Sequence, residues 1–129
     1  MSRIEKPWGY EDQILVSQVD VGKETGMLGI RKLVIDAHEM TSKAVHQKQA
    51  DIIYLEKGTA TVVIDGKMHE LQKGEAKLVR SGQEHQIQNA GQEVAEVLEI
   101  SFPYRPEDIE RIEDPYADSR SDSEELEQE

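Results

Sequence analysis

Short runs of β-branched and aliphatic residues, separated by turn residues about every 8–12 positions, most limit the folds open to this 129-residue chain. The clearest turn is Asp65-Gly66, which stands between two β-rich runs, and both of its positions must tolerate positive φ. No long segment has the apolar spacing of a helix. The sequence therefore predicts a single all-β domain, either a sandwich or a barrel.

The predicted strands follow one another along most of the chain. Glycines and polar residues at 22–26 predict a loop, and Trp8 is expected to close one end of the core. A short helical turn is expected to begin near Pro106. The strands are predicted at residues 13–21, 28–35, 51–58, 59–64, 67–71, 75–79, 85–89 and 93–102.

The chain contains no cysteine, which excludes a disulfide framework, a thiolate metal site and a cysteine nucleophile. The first residues lack the apolar core of a signal peptide. No apolar stretch approaches the roughly 18 residues needed to span a bilayer. We therefore expect a soluble, cytoplasmic protein.

Most of the net charge of −12 belongs to the C-terminal part of the chain, because residues 106–129 hold 11 of the 27 acidic residues and 2 of the 15 basic ones. Residues 117–129 are almost wholly polar and cannot bury enough apolar surface to offset the entropy of ordering. They are expected to form a disordered acidic tail after a folded domain at 1–116. An acidic chain with no basic patch argues against nucleic acid and anionic membranes as partners.

Two histidines and one aspartate stand out as candidate metal ligands. His46 and Asp51 lie five residues apart, on either side of a short connection between two strands, so both side chains can reach one point. Adding His85 from a separate strand gives two imidazoles and one carboxylate, which suits a divalent transition metal such as zinc, manganese, iron, cobalt or nickel. His38, in a predicted turn, and His69, after the Asp-Gly hairpin, are not assigned to the site.

The same residues resemble the two motifs of the cupin family. In the first motif, G-x5-H-x-H-x3–4-E-x6-G, the second histidine falls on His46, the glutamate on Asp51 and the closing glycine on Gly58. Ala44 stands where the first histidine would be. The second motif, G-x5-P-x-G-x2-H-x3-N, has arginine in place of proline and falls on Gly74, Arg80, Gly82, His85 and Asn89. The resemblance implies a small antiparallel jelly-roll β-barrel with a metal ion inside.

Within the cupins, the chain most resembles the C-terminal domain of type II mannose-6-phosphate isomerases. Those proteins open with Lys/Arg-Pro-Trp-Gly, which matches residues 6–9 of this chain. They end in an acidic segment, Glu-Asp-Ile-x-Arg-x-Glu-Asp-x-Tyr, which matches residues 107–116. The resemblance implies a pocket for a sugar phosphate or a similar small polar molecule.

Three functions are open to such a protein. The first is metal-assisted aldose–ketose isomerisation of a sugar phosphate, in which a base moves a proton between adjacent carbons. Either Arg31 or Lys32 could meet the phosphate, because strand parity does not decide which of them points inward. The second is a dioxygenase, because two histidines and a carboxylate resemble the facial triad of non-haem iron oxygenases. The third is a non-catalytic small-molecule binding or sensing barrel, which the lost ligand at Ala44 favours.

A homodimer is also expected from the resemblance, because small cupins commonly pair their edge strands. The sequence contains no stretch that identifies the contact surface.

Overall fold

The computed structural model describes residues 2–113, which form two antiparallel β-sheets. The first sheet has six strands in the order β1-β2-β3-β10-β5-β8, and the second has five in the order β11-β4-β9-β6-β7. The strands in chain order are β1 Arg3–Lys6, β2 Gly9–Val21, β3 Glu24–Ile35, β4 Lys43–Val45, β5 Ala50–Lys57, β6 Ala60–Ile64, β7 Lys67–Leu71, β8 Ala76–Val79, β9 Glu84–Gln88, β10 Ala95–Phe102 and β11 Glu110–Glu113.

The core lies between the two sheets. Side chains alternate across a strand, so every second residue of β10 is buried while those between are partly exposed. Inward-facing residues of both sheets, together with Trp8 from the turn between β1 and β2, form one apolar cluster. Its members are Trp8, Leu33, Ile35, Ile53, Leu55, Ala60, Val62, Ile64, Leu71, Val79, Ile87, Ala95 and Val97.

The barrel interior changes from apolar to polar along three neighbouring strands. On β10 the buried residues are first Ala95 and Val97, then Glu99 and Ser101. The antiparallel neighbours place Arg31 of β3 opposite Glu99, and Asp51 of β5 opposite Ser101. One end of the barrel is therefore a packed hydrophobic core, and the other end gathers buried polar side chains.

The predicted all-β class and antiparallel jelly-roll architecture are confirmed. The Asp65-Gly66 turn joins β6 to β7 with φ of 49° and 80° at its two residues. The predicted loop at 22–26 is shorter, because Glu24, Thr25 and Gly26 already belong to β3. Sequence reasoning missed β1, β4 and β11, which have three or four residues each and no clear apolar alternation.

The helical turn predicted near Pro106 is wrong. The chain makes one turn bond there, from N of Asp108 to O of Arg105 at 2.9 Å, and then enters β11, which pairs with β4. The carbonyl and carboxylate of Asp108 are bonded to the segment that follows β4. These contacts with another part of the chain replace the bonds that a helix would make.

Two expectations are not addressed by the described residues. The predicted domain end at 116 and the acidic tail at 117–129 both lie outside residues 2–113. Within residues 2–113, no helix has the length and apolar character needed to cross a membrane.

Gly58, where the first motif ends, occupies a position that admits no side chain. Its φ is +83°, and a Cβ added there would lie 2.6 Å from O of Val94. Gly66 has a similar φ of +80° but no heavy atom within 4 Å of the added Cβ. Substitution of Gly66 by alanine therefore measures the cost of positive φ alone. Substitution of Gly58 measures that cost together with the cost of a backbone clash.

We expect Gly58→Ala to lower the free energy of unfolding by about 3 kcal/mol or more, because it combines an unfavourable φ with a backbone clash. Gly66→Ala, the matched control, should cost only about 1 kcal/mol. Urea unfolding followed by circular dichroism measures both values. Equal losses in the two variants would contradict the role of the Val94 carbonyl.

Candidate metal site

Cross-strand register brings the three predicted metal ligands together. Asp51 on β5 faces the interior opposite Ser101 of β10. His85 on β9 pairs with Ala44 on β4, and His46 directly follows β4. All three ligands are buried, and the atoms that could bind a metal lie within 4.8 Å of one another. These three residues are called the metal cluster below.

The carboxylate of Asp51 lies between the two imidazoles. Its Oδ2 is 3.4 Å from Nε2 of His46 and 3.8 Å from Nε2 of His85. The ring centroids are 5.1 Å apart, and the ring planes are tilted by 36°. Aspartate is one methylene shorter than the glutamate of the first cupin motif, and these distances show that it reaches both rings.

A backbone carbonyl fixes the orientation of His46. The Nδ1–H of His46 donates a hydrogen bond to O of Asp108, 62 residues away in sequence. An imidazole that carries its proton on Nδ1 has a lone pair on Nε2, the nitrogen that faces Asp51. Histidines that bind metals commonly donate their other N–H in this way, which holds the ring in place.

The side chain of Asp108 holds the loop after His46. Its carboxylate accepts hydrogen bonds from the backbone N–H groups of Gln47, Lys48 and Gln49 at 2.9, 2.7 and 3.0 Å. Burial alone would raise the pKa of this carboxyl, but the three N–H donors and the nearby His46 outweigh it, so the pKa lies below its ordinary value. Asp108 thus fixes both the loop and the ring of one candidate ligand.

Two donors fix the carboxylate of Asp51. The hydroxyl of Ser101 and the amide Nε2 of Gln49 both donate to Oδ1, at 2.5 and 2.9 Å. The Oε1 of Gln49 in turn accepts the N–H of Arg105 at 2.9 Å. With Oδ1 engaged by two donors, Oδ2 is the oxygen directed at the histidines.

The arrangement fits a bound divalent cation. Oδ2 of Asp51 is buried and accepts no hydrogen bond from any residue between 2 and 113. It faces the lone pair of His46 Nε2 at 3.4 Å. Two buried lone pairs this close repel each other unless a cation, either a proton or a metal ion, lies between them. Two imidazoles and one carboxylate are a donor set that first-row divalent metals accept.

Arg31, rather than Lys32, points into the barrel. Its side chain is 2% exposed and forms ion pairs with Glu99 and, at 3.5 Å, with Glu11. The guanidinium also donates to the hydroxyl of Ser101 at 3.5 Å, the same hydroxyl that donates to the metal cluster. Lys32 lies on the outer face, where its ammonium pairs with glutamates.

A cavity of ≈ 60 Å³ is lined by the two histidines of the metal cluster, His46 and His85, and by several charged side chains. That volume holds a few water molecules. Ala44 lines it where the first cupin motif has a histidine, so this wall offers a methyl group instead of a ligand. The charged residues that line the cavity are Lys6, Glu11, Arg31, Glu99 and Arg111.

The remaining motif residues and histidines have other roles. The buried amide of Asn89, the last residue of the second motif, donates to the carbonyls of Ile35, Asp36 and Glu93 and so ties together loops of the barrel. His38 is exposed, and His69 on β7 is half-buried. Neither belongs to the metal cluster.

Sequence reasoning missed four residues that support the site. Glu99 and Ser101 could have been recognised in the sequence, because they are polar residues that continue the alternating buried positions of Ala95 and Val97. Gln49 gives no local signal, because its role depends on bonds to both Asp51 and Arg105. Asp108 gave no signal, since its contacts depend on how residues 105–113 pack.

Comparison with known proteins supports the fold that the motifs indicate. The cupin domain family matches residues 32–101 of the chain. No curated protein sequence matches it.

Three solved structures illustrate the likeness. KdgF from Halomonas sp. is 15% identical with a TM-score of 0.69, and the match covers 81% of this chain and 88% of that one. An oxalate decarboxylase from Lactobacillus farciminis is 19% identical with a TM-score of 0.68, over 86% of this chain and 33% of the other. A putative sugar phosphate isomerase from Acidithiobacillus ferrooxidans is 20% identical with a TM-score of 0.58, over 65% of this chain and 55% of the other.

At these identities the solved structures show the fold alone, and this chain spans about half of the putative isomerase and a third of the decarboxylase. The family match covers more than half of the sequence, and the motif residues lie together inside the barrel. The chain therefore belongs to the cupin family.

Proposed function

We propose that this protein is a metal-dependent cupin that isomerises a small sugar phosphate or a related hydroxy-carbonyl anion. One observation carries the proposal: both histidines of the metal cluster line a cavity that also holds two buried carboxylates, Glu11 and Glu99, and three basic side chains. The resemblance to type II mannose-6-phosphate isomerases and the fold shared with a putative sugar phosphate isomerase point to the same substrate class.

His46, Asp51 and His85 would hold the metal through Nε2, Oδ2 and Nε2. A divalent metal bound there supplies Lewis-acid polarisation of a carbonyl oxygen and the neighbouring hydroxyl oxygen. The chain keeps these donors aligned, because Asp108 and Ser101 fix the ring and the carboxylate from behind.

Glu99 is the side chain we assign to proton transfer between adjacent carbons. It lines the cavity and is connected to the metal cluster through Arg31 and Ser101. A carboxylate enclosed in this way can take a proton from one carbon and return it to the next.

The basic residues suit an anionic substrate. The cavity of ≈ 60 Å³ accommodates the reacting carbons and their oxygens, so a phosphate has to lie towards solvent. Lys6 and Arg111 line the cavity and are half-buried, whereas Arg31 is buried. Lys6 and Arg111 are therefore the residues we assign to the phosphate.

A non-catalytic binding barrel is the second candidate, and one observation favours it. Arg31 pairs with both Glu99 and Glu11, the two carboxylates of the cavity, and an ion pair stabilises the ionised form of a carboxylate at the expense of proton uptake. Under this alternative, a small anion binds and nothing is turned over.

We expect the purified protein to hold about one equivalent of a divalent first-row metal, as two imidazoles and a carboxylate favour. His46→Ala and His85→Ala should each lose it, because only two donors remain. Elemental analysis measures the metal, with His38→Ala and His69→Ala as controls that retain it. A wild-type protein without metal, even after reconstitution, would rule out the metal-dependent proposal, and iron as the native metal would favour the dioxygenase.

Replacing Asp108 by alanine should weaken metal binding by about 10–100-fold, because the loop after His46 loses its acceptor and the carbonyl that holds the ring shifts. Cobalt titration followed by visible absorption measures the affinity, and ¹⁵N NMR reports the tautomer of His46. Glu107→Ala, an exposed neighbour, is the control. Unchanged affinity in the Asp108 variant would contradict its positioning role.

Glu99→Gln should reduce kcat for aldose–ketose conversion by about 100-fold or more and leave the metal content unchanged. The assay follows conversion of mannose 6-phosphate and smaller aldose phosphates by the metal-loaded protein. Glu70→Gln, an exposed change on β7, is the control. If no sugar phosphate is turned over but one of them raises the Tm, the binding barrel replaces the isomerase.

A further inference from the structure

Ala44 lies between a candidate metal ligand and an arginine. The register pairs Ala44 of β4 with His85 of β9 on one side and with Arg111 of β11 on the other. All three side chains line the same cavity, so they form one row across its wall, called the cavity row below. A molecule that lies over the methyl group of Ala44 therefore reaches His85 at one end and Arg111 at the other.

The side chain of Ala44 faces the metal cluster. Ala44 and His46 are two residues apart at the end of β4, and both line the cavity. Directly opposed residues on antiparallel strands have Cβ atoms about 4.5–5.5 Å apart, so the methyl group of Ala44 lies beside the side chain of His85. Ala44 is buried and its side chain has no donor atom. A metal held by the cluster would thus receive no ligand from position 44.

Arg111 is held against the cavity by β4. Its backbone pairs with Ala44, and its Nε donates a hydrogen bond to the hydroxyl of Ser42 at 3.3 Å. The side chain is half-buried, as expected at the rim of a cavity. A guanidinium binds phosphate oxygens through charge-assisted hydrogen bonds. The cavity row therefore has an end that suits a metal-bound oxygen and an end that suits a phosphate.

The size of the cavity limits what can lie on the cavity row. Two inter-strand spacings, about 10 Å, separate the backbones of His85 and Arg111, and both side chains extend over the shared wall. The volume of ≈ 60 Å³ gives room for about four to six water-sized atoms or groups. That room suits a chain of about two or three carbons with their oxygens, and it is too small for the carbon chain of a hexose.

The wall around Ala44 suits the carbons of such a molecule. Apolar side chains line the cavity beside the charged ones, and they are Trp8, Leu33, Ile87 and Ile109. A largely apolar wall with a few convergent polar groups is usual for sites that bind small molecules.

We propose that Ala44 determines the specificity of this site, and that the substrate is a phosphorylated hydroxy-carbonyl compound of about the size of a triose phosphate. The lack of a donor at position 44 leaves the metal open to an oxygen of the substrate. The small side chain leaves room for the carbons between that oxygen and Arg111. This inference rests on the proposed function, because it needs a metal in the cluster, and it narrows the substrate to a short chain.

Cobalt-loaded, full-length protein tests the proposal with three probes. Phosphoglycolate has a carboxylate and a phosphate on a short chain, methoxyacetate has the same carboxylate and ether oxygen without the phosphate, and inorganic phosphate lacks the chain. Phosphoglycolate should change the visible absorption of cobalt at a concentration about 10-fold lower than methoxyacetate, because the phosphate gains hydrogen bonds from Arg111. Arg111→Gln should abolish that difference, whereas Arg105→Gln, an exposed arginine outside this cavity, should keep it.

Two substitutions at position 44 separate the effect of a ligand from the effect of volume. Ala44→His should bind cobalt about 10-fold more tightly, because a fourth donor closes the site, and its absorption should no longer respond to phosphoglycolate. Ala44→Val adds no donor and should leave the affinity for cobalt unchanged. It should still weaken phosphoglycolate binding by about 10-fold or more, because it fills the cavity.

Several results would overturn the proposal. A wild type that binds no cobalt would remove both this inference and the metal-dependent proposed function. Cobalt-loaded wild type whose absorption ignores phosphoglycolate, or responds equally to inorganic phosphate, would remove this inference alone. So would an Ala44→His or Ala44→Val variant that has the native circular dichroism and responds as the wild type does. If Ala44→His does not fold, Ala44→Val and the three probes on the wild type decide the question.

Discussion

The antiparallel register around β10 is the constraint on which the site depends. It pairs Glu99 with Arg31 on one side and Ser101 with Asp51 on the other. A slip of β10 by one residue would turn Glu99 and Ser101 outward and send Ile100 into the barrel. The apolar end of the barrel prevents that slip, because Ala95 and Val97 of β10 would leave the core with it.

The division of the interior into an apolar end and a polar end has an energetic basis. Burial of the apolar cluster drives folding, at about 25 cal/mol per Å² of apolar surface removed from water. Buried charges such as Arg31 and Asp51 add little net stability even when paired, since desolvation opposes the attraction between partners. The core beside the polar end therefore holds these buried charges in place.

Much of the fold and part of the site could be predicted from the sequence, for separate physical reasons. The Asp65-Gly66 turn, the period-two strands and the glycine at 58 are local signals, because φ preference and alternation act over a few residues. His46, Asp51 and His85 were found because their spacing matches a motif. The inward direction of Arg31 could not be deduced from the sequence. Arg31 and Lys32 are adjacent on one strand and point to opposite faces, and only the pairing with neighbouring strands shows which face is the inner one.

The residues that hold the ligands were harder to find because their contacts are long-range. The sequence around Asp108 predicts a polar helical turn. Asp108 reaches the loop after His46 only once β11 has paired with β4. Gln49 gains its role from facing both Asp51 and Arg105. Neither contact leaves a periodic pattern in the sequence.

The bond from His46 to the carbonyl of Asp108 also shapes how this chain can evolve. Every residue type has a main-chain oxygen, so the bond to His46 does not itself require aspartate at 108; the three N–H groups that its carboxylate accepts do. An insertion elsewhere in the chain that displaced the backbone around Asp108 would release the ring of His46, although all three residues of the metal cluster were unchanged. Related proteins can therefore differ in identity at the residues beside Asp108, provided that they keep the carboxylate at 108 and the length of the segment between β10 and β11.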